Sequence, residues 1–198
     1  MLVLASASPR RSELLTQAGY GFQVHPAHIN EDPLAGEEPI AYVTRLAREK
    51  AEAVFRELTG SGLKDAGAAS QSSLIVLGAD TTVTLDNAIL GKPTDAADAA
   101  RMLRLLSGRT HRVITGVAVV TAKGAEVAAE ATAVRFLTLS QAEIADYVAC
   151  GEPMDKAGAY AIQGRAARWI PRIEGCYFNV MGLPLALLST MLAPCQIG

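Results

Sequence analysis

The chain has 198 residues, 50% hydrophobic and 19% charged, which is enough apolar material for one sizeable core and argues against overall disorder. Its formal net charge of −2, from 18 basic and 20 acidic residues, lacks the basic excess of a nucleic-acid binder, so cations serving an anionic ligand have to be gathered in one cleft. Cys150, Cys176 and Cys195 form no CxxC pair, which argues against a disulfide framework or a zinc site, and they read as reduced, buried thiols.

The apolar start MLVLA is too short for a signal segment, and no apolar run approaches the roughly 18–20 residues of a membrane span, so a cytoplasmic location is expected. Residues 2–5 (LVLA) read as a short buried strand. Ser8 and Pro9 suit an N-cap and a first helical position, and the helix should run to Gly19. A second helix is expected over about 40–58, opened by Pro39. Residues 59–73 are small, polar and glycine-rich and read as a flexible surface loop within a single domain. LIVLGA (74–79) is a continuous apolar run of strand length. TVTLD and AILG around Asp86-Asn87 suggest a hairpin.

A third helix is expected over 95–106, strands over 112–122 and 130–138, and a helix to about 149 opened by the capping box Ser140/Glu143. Residues 151–164 look loop-like, and a last helix follows Pro184. The alternation of strands and helices, broken by the hairpin, predicts an α/β fold with a mixed sheet.

Several segments carry candidate chemistry. In SASPRR (6–11) a strand leads through a serine-rich turn into a helix N-terminus, an anion-favouring end that also carries Arg10 and Arg11. A capped helix with two solvated arginines fits the same residues equally well. On the second helix Val43, Leu46, Ala47, Val54 and Leu58 form the apolar stripe, and Lys50 starts on that core-facing side. Its head can snorkel to water, or reach into a cleft to meet phosphate or carboxylate.

Asp80 follows the apolar strand, where a carboxylate can serve as metal ligand or general base; a turn-capping aspartate is the plainer alternative. Lys92, between Gly91 and Pro93, is a loop lysine able to reach a phosphate. Gln163, before Gly164, offers a donor and an acceptor suited to a base edge. His25 and His28 have no metal spacing and read as surface residues.

Taken in order, ASASPRR (5–11), YVTRLAREKA (42–51), LGADTTV (77–83), ILGKP (89–93), MLRLLSGRTHRVITGV (102–117), EPMDKAGAYAIQG (152–164) and GLPL (182–185) resemble the Maf family of nucleoside triphosphate pyrophosphatases. The resemblance implies a long, twisted mixed β-sheet flanked by helices, related to the inosine triphosphatase-like fold. It implies cleavage between the α and β phosphates with a divalent metal, magnesium or manganese. By matching position Asp80 is the proton acceptor, and Arg10, Thr81 and Gln163 are tied to substrate choice. Ser6, Arg11, Lys50 and Lys92 match phosphate contacts, and Glu31, with Asp80, matches a metal-holding position. Arg10, the Asp80-Thr81 pair and the AIQG form resemble the dTTP/UTP branch. Cys176 in EGCY, Ala7 and the long 59–73 loop depart from the pattern.

The expected partner is a nucleoside triphosphate, with no nucleic acid and no membrane, and a homodimer as the candidate assembly. A pyrophosphatase of purine or modified nucleotides, and a regulatory protein that binds nucleotide without turnover, are the alternatives.

Overall fold

In the computed structural model, which describes residues 1–61 and 74–195, strands and helices alternate along the chain. The strands are β1 (Leu2–Leu4), β2 (Phe22–Val24), β3 (Ile75–Leu85), β4 (Ala88–Leu90), β5 (Thr110–Thr121), β6 (Gly124–Arg135) and β7 (Arg172–Glu174). The helices are α1 (Pro9–Gln17), α2 (Pro39–Ser61), α3 (Ala96–Leu106), α4 (Gln141–Ala149), α5 (Tyr177–Met181) and α6 (Leu185–Leu192). The strands form one mixed sheet in the order β2-β1-β3-β5-β6-β7, with β4 paired to β3. β1 runs parallel to β2 and to β3, whereas β3/β4 and β6/β7 are antiparallel.

By its internal contacts the chain divides into two compact units. The first comprises Met1–Asp80, Thr115–Glu130 and Gly182–Gly198; the second comprises Thr81–Ile114 and Ala131–Met181. In the first unit α2 lays Ala47, Ala51 and Val54 into a core with Val3, Ala5, Leu74, Val76, Ala118 and Val120. The helix comes unusually close to its strands. A Cβ on Gly78 of β3 would lie 2.1 Å from the Ala47 carbonyl oxygen, and one on Gly116 of β5 would lie 2.3 Å from that of Val43. Both distances are far inside van der Waals contact, so only glycine lets the helix backbone rest there. In the second unit α3 and α4 pack Met102, Leu103, Leu106, Ile144 and Tyr147 with Phe136, Tyr160 and Trp169. Both helices start on side-chain caps: Asp95 accepts the Asp98 N–H, and Ser140 and Glu143 complete a reciprocal capping box.

Several boundaries differ from those the sequence suggests. The apolar run and TVTL form one eleven-residue strand, β3, because Thr81, Thr82, Val83 and Thr84 are β-branched and continue the extended backbone. Asp80 is therefore inside a strand rather than at its end. The turn at Asp86-Asn87 is as expected, both residues adopting positive φ (50° and 65°), which suits the twist of a two-residue hairpin.

α2 runs to Ser61, its last turn supported by the Thr59 hydroxyl donating to the Phe55 carbonyl at 2.8 Å; the remainder of the expected loop, 62–73, lies outside the described residues. β6 begins at Gly124, earlier than expected, since the 124–127 stretch is exposed throughout and carries no alternation to announce it. β2, β7 and α5 are too short to leave a periodic signal. The cysteines are free, but Cys150 is exposed and Cys176 and Cys195 are half-buried, so the expectation of buried thiols is corrected. Among the described residues no helix is long and apolar enough to cross a membrane.

Candidate active site

The strand–turn–helix at the start of the chain is organised by Ser6. Its buried hydroxyl accepts the Ser8 N–H at 3.2 Å and an N–H of the Arg11 guanidinium at 3.0 Å. Ser8 occupies the N-cap as expected but makes no side-chain cap bond there, so the turn is fastened from Ser6 instead. Arg11 also donates through Nε to the Gly182 carbonyl at 2.9 Å, which ties the first turn of α1 to the segment before α6. Burial pulls the Arg11 guanidinium below its ordinary value; the charges of Asp80 and Glu31 oppose that pull and that of Arg10 adds to it. Arg10, in the same turn, is half-buried.

Lys50 lies on the buried face of α2 and is 7% exposed, so its head does not snorkel to water. Its Nζ is 2.6 Å from Asp80 Oδ1 and 2.8 Å from Glu31 Oε1. Asp80 is 8% exposed, whereas the Glu31 side chain, on the segment before α2, is about half exposed. A buried ammonium thus binds two carboxylates, one from a strand and one from a loop. The first unit brings together Ser6, Arg11, Glu31, Lys50 and Asp80 of the residues singled out in the sequence.

Thr81, Lys92 and Gln163 belong to the second unit. Thr81 is half-buried; Lys92 and Gln163 are exposed. The loop of Lys92 is fastened to the segment of Gln163, because the Gly158 N–H donates to the Gly91 carbonyl at 3.0 Å. The turn carrying Gln163 is pinned on both sides. The Ala161 N–H donates to the Tyr147 hydroxyl at 3.2 Å, and the Arg165 N–H donates to the Glu152 carboxylate at 3.2 Å. Tyr147 in turn donates to Glu152 at 2.6 Å. Gly164 leaves room for that carboxylate, since a Cβ there would lie 2.0 Å from Glu152 Oε1. Tyr147 and Glu152 were not singled out in the sequence, where Glu152 is one of several charges beside Asp155 and Lys156.

His111, the second residue of β5, is 1% exposed, with Nε2 2.7 Å from the Tyr160 hydroxyl and its ring edge-on to Phe136. Burial lowers its pKa to about 4 from 6.5. As pH falls the unfolded chain takes up this proton first, so the stability tied to neutral His111 is present above about pH 6.5 and lost on acidification toward pH 4. Urea unfolding from pH 6.5 to 4.5 should therefore show a shallower pH slope in His111→Gln than in the unaltered chain. Equal slopes would assign the loss to other groups.

Two carboxylates held by one ammonium suit a particular cation chemistry. No group of three or more His, Cys, Asp or Glu side chains able to hold a metal occurs among the described residues. Glu31 and Asp80 supply hard oxygen donors without a complete protein cage, which fits magnesium or manganese bound through one or two carboxylates plus substrate phosphates. It does not fit zinc, which needs three or four protein ligands.

The sequence profile described as "Maf-like protein" matches residues 1–195. The chain belongs to the Maf family. Its relatives in that family include a protein of Koribacter versatilis (strain Ellin345), 52% identical over 191 residues, 96% of this chain and 92% of the relative. One from Geobacter sp. (strain M21) is 54% identical over 93% of this chain and 90% of its own length. One from Pelotomaculum thermopropionicum is 51% identical over 96% and 94%. All three are named dTTP/UTP pyrophosphatase. The match spans both units of this Maf chain, so family membership covers the Lys50 cluster and the Gln163 turn alike.

Proposed function

We propose that the protein hydrolyses nucleoside triphosphates, dTTP and UTP foremost, to the nucleoside monophosphate and pyrophosphate. The observation that carries this reading is the buried Lys50 ammonium between Asp80 and Glu31, beside the Ser6–Arg11 helix start. The names of relatives at about half identity over nearly the whole chain support the substrate class.

In this reading a water attacks the α-phosphorus and gives its proton to the Asp80 carboxylate, while the bond from the α-phosphorus to the bridging oxygen breaks and pyrophosphate leaves. Arg11 and Lys50 offset the charge of the polyphosphate, with Lys92 as a further phosphate contact and Ser6 orienting Arg11. Lys50 also keeps Asp80 in place through the 2.6 Å contact. Arg10, Thr81 and Gln163 select the substrate, Gln163 through its amide at a base edge. A divalent cation held by Glu31 and Asp80 would supply charge neutralisation and acidify water. The same reading takes the fold as kin to the inosine triphosphatases and the enzyme as acting on free nucleotides in the cytoplasm. The net charge of −2 suits a protein without a nucleic-acid partner. A homodimer is the assembly to check by light scattering.

The test is the bond cut. With UTP and magnesium in ¹⁸O-water, the expected products are UMP carrying the label and unlabelled pyrophosphate. UDP and orthophosphate as primary products would overturn the reading, as would tight binding of nucleotide without turnover. A panel of purine and modified triphosphates that outpaces dTTP and UTP would move the substrate class.

A further inference from the structure

Glu31 sits on a segment with little means of its own to stay in place. Residues 25–34 have no regular secondary structure, and residues 30–36 are exposed. A half-exposed glutamate on such a stretch loses its position to rotamer and backbone freedom unless the main chain is fixed from elsewhere. Here it is fixed from α2, the helix that carries Lys50.

The Tyr42 hydroxyl donates to the Glu31 carbonyl at 2.9 Å, and the Arg45 guanidinium donates to the Asp32 carbonyl at 3.2 Å. Arg45 also grips Glu37 with two parallel bonds, Nε to Oε1 at 2.6 Å and Nη2 to Oε2 at 2.7 Å. The Glu37 carboxylate then accepts the Leu34 N–H at 3.0 Å, closing the segment on itself, while the Asp32 N–H turns back to the Asn30 side chain. Glu37 is almost fully covered, its side chain 8% exposed, so the fork is shielded from competing water.

We propose that Tyr42 and Arg45 are positioning residues that hold Glu31 against Lys50 and thereby set how tightly the site takes a divalent cation. The inference rests on the reading of Glu31 as one of a cation-holding pair. The three residues share one helix: Tyr42 secures the carbonyl of the Glu31–Asp32 peptide, Arg45 secures that of the next peptide, Asp32–Pro33, and Lys50 secures the Glu31 side chain. Lysine cannot reproduce the grip of Arg45, because its point charge has no fork to meet Glu37 and the Asp32 carbonyl together.

The whole chain is compared as unaltered protein, Glu31→Gln, Arg45→Ala, Arg45→Lys, Tyr42→Phe and the double Arg45→Ala/Glu31→Gln. Two quantities are read: backbone hydrogen exchange, and the dissociation constant for Mn²⁺ by calorimetry. In Arg45→Ala the amides of Asp32, Leu34 and Glu37 should exchange roughly tenfold faster or more while those of β3 stay protected. Mn²⁺ binding should weaken by roughly tenfold, as for lost outer partners of metal ligands. Arg45→Lys and Tyr42→Phe should fall between it and the unaltered chain, and they carry the test if Arg45→Ala fails to fold.

Because Arg45 acts through Glu31, the double variant should bind Mn²⁺ no more weakly than Glu31→Gln alone. Unchanged exchange, unchanged affinity in the Arg45 and Tyr42 variants, or additive losses in the double variant overturn the proposal while leaving Glu31 in its role. A Glu31→Gln variant with full Mn²⁺ affinity, or an unaltered chain that takes no Mn²⁺, overturns the cation reading of Glu31 and the proposal with it.

Discussion

Asp80→Asn should lower the turnover of UTP by roughly 10²-fold or more, the scale of a lost general base. The loss is expected in kcat, because asparagine keeps the shape and an oxygen acceptor for Lys50 but takes up no proton. Lys50 keeps Glu31 at 2.8 Å, so its ammonium is not left without a partner and the melting temperature should move little. The measurement is steady-state kinetics beside thermal melting. An Asp80→Asn variant that turns over near the normal rate removes Asp80 from proton transfer. One that is inactive and unfolded makes the residue structural.

The second large effect concerns Lys50→Met, and here the structure reverses a sign. Taken as a cation on an apolar helix face alone, Lys50 could be exchanged for methionine with stability unchanged or slightly higher. In the fold, that exchange strips a carboxylate that is 8% exposed of its 2.6 Å partner. Removing one member of a buried pair costs on the order of 3 kcal/mol, so the ligand-free protein should melt well below the unaltered chain. Adding Asp80→Asn to Lys50→Met should recover much of that loss, because no buried charge then lacks its counterpart. Turnover stays low in both. A Lys50→Met protein that melts normally would show the ion pair to be energetically idle, and one that also turns over normally would remove Lys50 from the site.

What the sequence made legible divides by the length of the signal. Lys50 could be placed on the covered face of α2 because the apolar stripe extends over several turns, and the Asp86-Asn87 hairpin followed from residues that tolerate positive φ. Order along the chain, from ASASPRR to GLPL, was enough to suggest the family. The partners of those residues were not legible. Nothing in the spacing says that Glu31 meets a lysine nineteen residues on, or that Tyr42 and Arg45 grip the loop before their own helix, since loop conformation has no periodicity to read. Asp80 was assigned to a strand end because the apolar run LIVLGA stops just before it. The four β-branched and threonine positions after it decided otherwise. The burial of His111 was hidden by its polar neighbours Arg109, Thr110 and Arg112, because strand alternation sends adjacent side chains to opposite faces.

The closeness of α2 to Gly78 and Gly116 has a consequence for inheritance. The carbonyls that fill the two missing Cβ positions belong to Val43 and Ala47, one helical turn apart and just before Lys50, and Gly78 lies two residues before Asp80 on the same strand. The span from ammonium to carboxylate is therefore set by main chain resting on main chain. Side chains around the cluster can drift over generations without altering it. Every single-base missense change at a glycine codon adds a Cβ, so these two codons have no conservative neighbour. A lineage can lose this site through either of them without touching any residue that meets substrate.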